Sequence, residues 1–513
     1  MNPTHLLLAF TLCTAPTVAQ TSAPVSQDLP QLFSATTQSG LPGAVPSTPS
    51  LRMHLAEVNL DVLANTTRAG SANPAIQLNL FQDVKLHATF ERLELAYGGG
   101  WVWSGSLQND AEGSVTISVM DDAISATIQF QDQLYQVDYA GNGVHWVRHS
   151  DPSGVPDCGT NDTHGIFSSD SLQRSGQAQR GSGNDIDVLV VYSTAAKNAS
   201  GGLNGMTSKI NLAVTETNDA YNLSGVSQRL VLVHTEEMVG YIEPSSFSQI
   251  LTDLRGQTDG NMDIVHSLRD QYGADCVAMI CQNGRYCGIA YLMTNVSPGF
   301  ESSAFSVTNY SCATGYYSFG HELGHNMGCA HDPLNAGAAA YSYSYGFRTS
   351  NNQYRTVMAY SPGTRIKRFS SPTVTYNGWI MGDVNQDNAR SLNSASDTIA
   401  DWRDTAGYIV DPALTVGSLT SGLFTFATIV DCTALGDVVL AYSTSGNGPT
   451  GTVYGTADLS LPILQLPTTN ADSGGFAQVG LDVPAGLAGL TVWFQALDVM
   501  SGILSNGDQA TIQ

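Results

Sequence analysis

The chain has 513 residues, 42% of them hydrophobic and only 12% charged, against a usual charged share of about 25%. That is apolar material for several cores and not the composition of a disordered chain. Lys and Arg number 20 against 44 Asp and Glu, a net charge of -24; such a surface repels phosphate backbones and anionic lipid, which excludes nucleic acid and membrane surfaces as expected partners.

At roughly 150 residues per domain, about three domains are expected. Residues 6–12 form a short apolar stretch, and Thr17, Val18 and Ala19 supply small residues at a cleavage point. This is the layout of a secretory signal peptide over 1–20, although residues 1–5 lack the usual Lys or Arg. Residues 20–50 are rich in Pro, Ser, Thr and Gln and read as a disordered lead-in. From about 51, period-two alternation at 75–80, 114–119, 123–130 and 133–139 predicts an antiparallel β domain. Residues 150–184 are polar, with Arg174 and Arg180, and read as a linker open to proteolysis.

The texture changes at Asp185. A buried strand at 186–192, a helical pattern at 206–221, a strand at 229–234, helical patterns at 247–254 and 262–272, and an apolar run at 276–280 follow in turn. Strands alternating with helices predict an α/β unit with a mixed, mostly parallel sheet. After Arg403 the chain contains no Lys, Arg or Glu. Short apolar segments between Gly, Pro, Ser and Asp turns there predict a β-sandwich over 411–513. No apolar run long enough to span a membrane follows the N-terminus.

With the signal peptide removed, seven cysteines remain: Cys158, Cys276, Cys281, Cys287, Cys312, Cys329 and Cys432. Five crowd between 276 and 329, a density expected of disulfides in an oxidising, extracellular compartment. An odd total leaves one thiol unpaired or bonded to another chain, and for the other six the spacing does not choose a connectivity.

The chemistry concentrates in His321-Glu322-Leu323-Gly324-His325-Asn326-Met327-Gly328-Cys329-Ala330-His331-Asp332. Two His four residues apart share one face of a helix, so both imidazoles can point at one metal ion. Glu322 sits beside that face. Gly328 can end the helix in a left-handed conformation, which returns His331 as a third nitrogen. Three imidazoles and one open position make a catalytic zinc site rather than a closed structural one. No Glu follows Glu322 and no His follows His331, so a third ligand from a downstream Glu is excluded.

At this motif the chain resembles the metzincin metallopeptidases. Met358, in Thr356-Val357-Met358-Ala359-Tyr360, matches the clan's methionine turn beneath the metal. The resemblance implies that Tyr360 contacts the zinc or steadies the oxyanion. Asp332 after the third His marks the reprolysin-like branch, and residues 186–403 look most like the secreted peptidyl-Asp metalloendopeptidases. The β region before them resembles a reprolysin-type propeptide. The resemblance implies a zinc-activated water with Glu322 as general base, acting on protein or peptide substrates.

Pro156-Asp157-Cys158-Gly159 resembles the Cys-Gly latency segment of matrix metalloproteinases and reprolysins. A Cys158 thiolate in the open zinc position would hold the enzyme latent; a disulfide from Cys158 to Cys432 or to the catalytic domain is the alternative. Arg365, Lys367 and Arg368 are the densest basic cluster in an acidic protein and follow the methionine turn. They are either a pocket for Asp or Glu after the scissile bond or a solvated loop. Asp259-Gly260-Asn261-Met262-Asp263 lacks a full Ca²⁺ ligand set and reads as a turn.

The expected organisation is a signal peptide (1–20), a propeptide (21–158, β-rich from about 51), a linker with the processing region (159–184), a metzincin catalytic domain (185–405) and a β-sandwich accessory domain (411–513) available to bind a surface or substrate. The rival readings are a secreted binding or adhesion protein with an inactive metzincin domain, and a zinc hydrolase of a non-peptide bond. The intact Glu322 counts against the first, and the basic cluster and propeptide-like region against the second.

Overall fold

The computed structural model describes residues 29–36, 45–67, 75–160, 185–403, 412–433, 436–452, 455–472, 474–499 and 503–513. The expected signal peptide and nearly all of the expected linker lie outside these residues.

Alternation with turn residues between strands builds a nine-stranded antiparallel sheet from β1 (Phe33–Ala35), β2 (Ser50–Val58), β3 (Ala75–Phe81), β4 (Val84–Ala96), β5 (Gly100–Leu107), β6 (Asp110–Met120), β7 (Ala123–Phe130), β8 (Gln133–Gly141) and β9 (Val144–Ser150). Their order is β1-β2-β9-β8-β7-β6-β5-β4-β3. Asn109, Asp121, Gln131 and Asn142 sit at positive φ in successive hairpin turns, the backbone that tight hairpins demand. One face buries Ile76, Leu78, Ile117 and Trp103 under the helix α1 (Leu60–Thr66). The Trp103 indole N–H donates to Thr66 Oγ1 at 2.9 Å.

The expectation of a disordered lead-in over 20–50 fails for part of that stretch. β1 pairs with β2, and Leu32 and Phe33 are buried in the sheet's core. Two apolar side chains suffice to fix a segment that its composition alone reads as loose.

The next unit begins with β10 (Asp185–Ser193), α2 (Thr194–Ala199), α3 (Leu203–Ser224), β11 (Arg229–Met238), α4 (Phe247–Arg255), α5 (Ile264–Gln271), β12 (Cys276–Cys281), β13 (Gly288–Ala290) and β14 (Phe305–Asn309). It continues with α6 (Ser318–Asn326), the two-residue strands β15 (Tyr354–Arg355), β16 (Thr364–Arg365), β17 (Thr375–Tyr376) and β18 (Trp379–Ile380), and α7 (Asn388–Ala400). The main sheet runs β11-β10-β12-β14-β13. Only β13 is antiparallel, and it stands at the edge. Helices cover both faces, which is why β10 and β12 are continuous apolar runs rather than alternating ones.

The helix α3 has two buried faces of different chemistry. Met206, Ile210, Ala213 and Tyr221 join the core of its own unit. Lys209, Glu216 and Asp219 lie on the opposite side, toward the nine-stranded sheet. Lys209 Nζ binds Asp138 of β8 at 2.5 Å, Ser208 donates to the Ser118 carbonyl at 2.9 Å, and Asp219 pairs with Arg92 of β4. The remainder of the chain forms antiparallel sheets. One contains Ala413–Val416, Phe424–Val430 and Ala477–Asp482, and another is built around Asp437–Ser443 and Thr491–Asp498. The two share one core that includes Ile429, Leu440 and Phe494.

The cysteine expectation needs correction. Among the described residues the one disulfide joins Cys287 to Cys312, and Cys158, Cys276, Cys281, Cys329 and Cys432 are free and buried. Cys276 and Cys281 end a strand covered on both sides and enter two different cores, where a thiol packs as a small apolar group. The pairing of Cys158 with Cys432 is absent.

Candidate functional site

The edge strand β13, the helix α6 and the loop that follows α6 enclose a group of four metal-ligating side chains. His321 and His325 are four apart on α6. The turn at Gly328, with φ of 90°, brings back His331. Their Nε2 atoms converge: His331 lies 3.2 Å from His321 and 3.0 Å from His325. The remaining Nδ1 atoms of the helical pair face carbonyls, Val357 O for His321 and Cys329 O for His325, each at 2.8 Å. A carbonyl can only accept, so Nδ1 carries the proton in both rings and Nε2 presents a bare lone pair to the centre. Burial above all, and then the neighbouring imidazoles, holds both rings well below the usual imidazole range.

Two bare lone pairs turned toward a third imidazole nitrogen are satisfied together by a cation between the three rings. A tetrahedral site with metal–nitrogen bonds of ~2.0–2.1 Å spaces its nitrogens about 3.3 Å apart, close to the spacing here. Cys158 supplies a fourth donor, its Sγ 3.7 Å from His325 Nε2. All four ligand atoms lie within 4.8 Å of one another, and all four residues are buried. The donor set fits one divalent ion of the zinc type.

Glu322 points into the same space. Its Oε2 accepts from the Cys158 thiol at 3.3 Å, and its Oε1 is buried with no hydrogen-bond partner among the described residues. Burial pushes its carboxyl up to about 8. Met358 is fully buried beneath α6; a Cβ on Gly324 would fall 2.8 Å from its sulfur, so glycine lets the helix settle on the methionine. Tyr360 packs at a tilt against His331 with ring centroids 4.1 Å apart, and its hydroxyl donates to the Cys158 carbonyl at 2.7 Å.

Residues 157–160 follow the exposed edge of β13. The Cys287 amide donates to Asp157 O at 3.2 Å, Gly159 N donates to Gly288 O at 2.7 Å, and Ala290 N donates to Thr160 Oγ1 at 2.8 Å. Partner numbers rise together, so the segment runs parallel to β13.

Comparison with known proteins agrees with this geometry. Residues 182–370 match the Reprolysin_5 model, described as metallo-peptidase family M12. The peptidyl-Asp metalloendopeptidase of Stenotrophomonas maltophilia strain R551-3 is 32% identical over 395 residues, covering 70% of this chain and 88% of the relative. The enzyme of the same name from Xanthomonas campestris is 32% identical over 358 residues, covering 65% and 84%. The chain belongs to the peptidyl-Asp metalloendopeptidase family. It is therefore a zinc metalloendopeptidase, a hydrolase whose substrates are proteins or peptides. A solved structure described as a chaperone–substrate complex aligns over 26% of this chain at 12% identity and a TM-score of 0.18, too low to bear on the fold. Among the described residues no helix is long and apolar enough to cross a membrane.

In this metalloendopeptidase the three basic residues singled out from sequence do not converge. Lys367 pairs with Asp219 at 3.0 Å, and Arg368 with Glu112 of β6 at 2.8 Å. Arg365 turns the other way, donating to the Tyr316 carbonyl at 3.1 Å, and its charge bears on Glu322 and His321. Sequence reasoning missed Thr160 and Arg355, and named Asp332 without foreseeing its contacts. Asp332 accepts from the Tyr360 amide at 3.0 Å and pairs with Arg348 at 2.9 Å, tying the third-histidine loop to the methionine turn. Thr160 donates to Glu322 at 3.4 Å. Arg355 stands beside Arg365. The basic spacing R-x₉-R was the only trace of Arg355 in the sequence, and it identifies nothing by itself.

Proposed function

We propose that the protein is a secreted endopeptidase made as a latent precursor, in which His321, His325 and His331 hold zinc and Glu322 is the general base. The convergence of three Nε2 atoms on one point beside the unpartnered Glu322 Oε1 carries this reading. When bound, the ion supplies a Lewis acid toward the scissile carbonyl and lowers the pKa of water there to about 7. Glu322 takes the proton of the attacking water and passes it to the leaving amine; its raised pKa matches that task. Tyr360, once its hydroxyl is released from the Cys158 carbonyl, donates to the developing oxyanion. Met358 supports the ligand-bearing helix from below.

Substrate peptides add to the free edge of β13, where main-chain groups are open for pairing. In the precursor that edge and the fourth ligand position are taken by residues 157–160, with Cys158 as the latency ligand. Arg365 is the member of the basic run that serves a preference for Asp or Glu after the scissile bond. The proposed division is a signal peptide over 1–20, a propeptide over 21–158, a linker with the processing region over 159–184, a catalytic domain over 185–405 and a β-rich accessory domain over 411–513. Secretion is supported by the apolar N-terminal stretch and by the Cys287–Cys312 disulfide.

The test is a peptide-library digestion by the processed protein beside Glu322→Ala, with zinc quantified in both. The expected outcome is equal zinc and a rate reduced about 10²–10⁴-fold in the variant. A zinc-loaded Glu322→Ala that cuts at the wild-type rate would remove Glu322 from the mechanism. A zinc-loaded, propeptide-free wild type that cuts nothing would favour the binding-protein reading.

A further inference from the structure

Two guanidinium groups sit side by side next to the site without a counterion. β15 and β16 pair in parallel with Arg355 directly opposite Arg365. Arg355 Nη1 donates to the Ala359 carbonyl at 2.6 Å, and Arg365 Nη2 reaches the same oxygen at 3.5 Å. Their other partners are also main-chain carbonyls, Gly363 O for Arg355 at 2.9 Å and Tyr316 O for Arg365 at 3.1 Å. Arg365 Nε is buried with no partner. Among the described residues neither forms an ion pair, whereas the nearby Arg348, Lys367 and Arg368 each have a carboxylate.

Like charges directly opposite on paired strands are destabilising, and a buried charge without a partner costs more still. A domain that places two such groups together and offers them only carbonyls leaves their charge to be met by an anion from outside. Their position says which anion. Ala359 immediately precedes Tyr360, whose hydroxyl touches the Cys158 carbonyl. The carboxylate that bears on both guanidiniums from the propeptide side is that of Asp157. Asp157 is exposed, one residue from the thiol at the metal position, so it stands at the entrance rather than inside.

We infer that Arg355 and Arg365 together form the receptor for the acidic side chain of the substrate, and that Asp157 screens its entrance in the precursor. The inference rests on the peptidase reading above and names the pair that gives that site its acidic preference. Release of one short segment then opens the fourth metal position and the anion position together.

The test uses the full chain after activation and two peptides differing only in Asp or Asn after the scissile bond. The wild type is expected to favour Asp, and Arg355→Gln to cut the Asp/Asn ratio of kcat/KM about tenfold or more, as loss of a charge-assisted hydrogen bond implies. The Asn peptide should change little. Arg355→Lys should restore part of the ratio, since it returns the charge without the planar fork. A ratio within twofold of wild type in a zinc-loaded Arg355→Gln overturns the inference, as does an equal loss on both peptides.

A second readout does not need cleavage. A hexapeptide copying residues 155–160 is titrated into the zinc-loaded protein by calorimetry. Asn in place of Asp157 should weaken binding severalfold in the wild type and not at all in Arg355→Gln. Equal weakening in both proteins overturns the pairing. A wild type that cuts neither peptide yet shows the coupled binding effect defeats the peptidase reading and leaves the anion receptor standing.

Discussion

The Cys158 sulfur lies 3.7 Å from His325 Nε2 and 3.3 Å from Glu322 Oε2, so on the proposed mechanism one atom would compete for the metal's open position and for the base at once. Burial, followed by the Glu322 carboxylate, pushes this thiol well above its ordinary pKa. Such a thiol would be inert as a nucleophile and becomes a ligand only through a cation's charge. Cys158→Ser should therefore raise peptide cleavage by the uncut precursor from near zero to about one tenth of the processed rate, the remaining inhibition coming from the main-chain bonds along β13. Cleavage assays on the uncut chain check this, and an undiminished latency would assign inhibition to those main-chain bonds alone. The convergence of His321, His325 and His331 was legible in the sequence because the pattern is local. Within eleven residues, helix period and one left-handed glycine fix the geometry. The orientation of each ring was not legible, since Val357 O belongs to a distant loop. Nor were the partners of Lys367 and Arg368, because Asp219 and Glu112 lie more than 140 positions away in the chain.

At the level of elements, α3 carries the contact between its own unit and the nine-stranded sheet, the part that the proposed function makes a removable propeptide. Seven residues separate Lys209 from Glu216, which places them on one face, and that face meets β5 to β8 through polar groups rather than through a shared apolar core. Asp138 is the centre of the contact. Burial alone would raise its carboxyl, but Arg148 and Lys209 outweigh burial and hold it below the usual carboxylate range. Removing one partner from a buried ion pair is far costlier than never having built it. Lys209→Ala should destabilise the precursor by about 3 kcal/mol, read as a lower urea midpoint, and should loosen the cleaved propeptide in a pull-down. Unchanged values for both would mean that Arg148 alone satisfies Asp138. The alternation of β3, β6, β7 and β8 was plain in the sequence, as was the change of texture at Asp185. The two-residue strands β15 and β16 carried no periodicity to read. Their register, and with it the meeting of Arg355 and Arg365, depends on packing that only the assembled domain provides.

For the whole molecule, the same interface holds a buried carboxyl that would make the proposed latency sensitive to pH. Glu216 is buried between α3 and the loop at Gly315, whose amide donates to both carboxylate oxygens at 3.2 and 2.9 Å. Burial pushes its carboxyl up to about 7, against the opposing pull of Lys367 and with a smaller upward push from Asp219. A pKa higher in the folded protein than in solvent means that the proton is held more tightly in the folded state, and it favours the seated sheet to the extent that release solvates Glu216. The stabilisation is complete below the solvated value near 4.5, is lost as pH rises through about 7, and is flat above that. Asp138 works in the opposite sense, its contribution disappearing only as pH falls below the ordinary carboxylate range, so the two do not overlap. A rise from 4.5 to about 7 corresponds to about 3.5 kcal/mol. Where release solvates Glu216 fully, the affinity of the cleaved propeptide should fall by up to about a hundredfold between pH 4.5 and 7.5. Glu216→Gln should abolish most of that slope while leaving affinity at pH 4.5 nearly unchanged, because a neutral amide replaces an already neutral carboxyl. Inhibition of the processed enzyme by added propeptide, measured across this range for both proteins, checks it. Parallel slopes would assign the pH dependence to groups other than Glu216, whereas a flat Glu216→Gln profile would make the precursor's seal one that loosens as the medium becomes neutral.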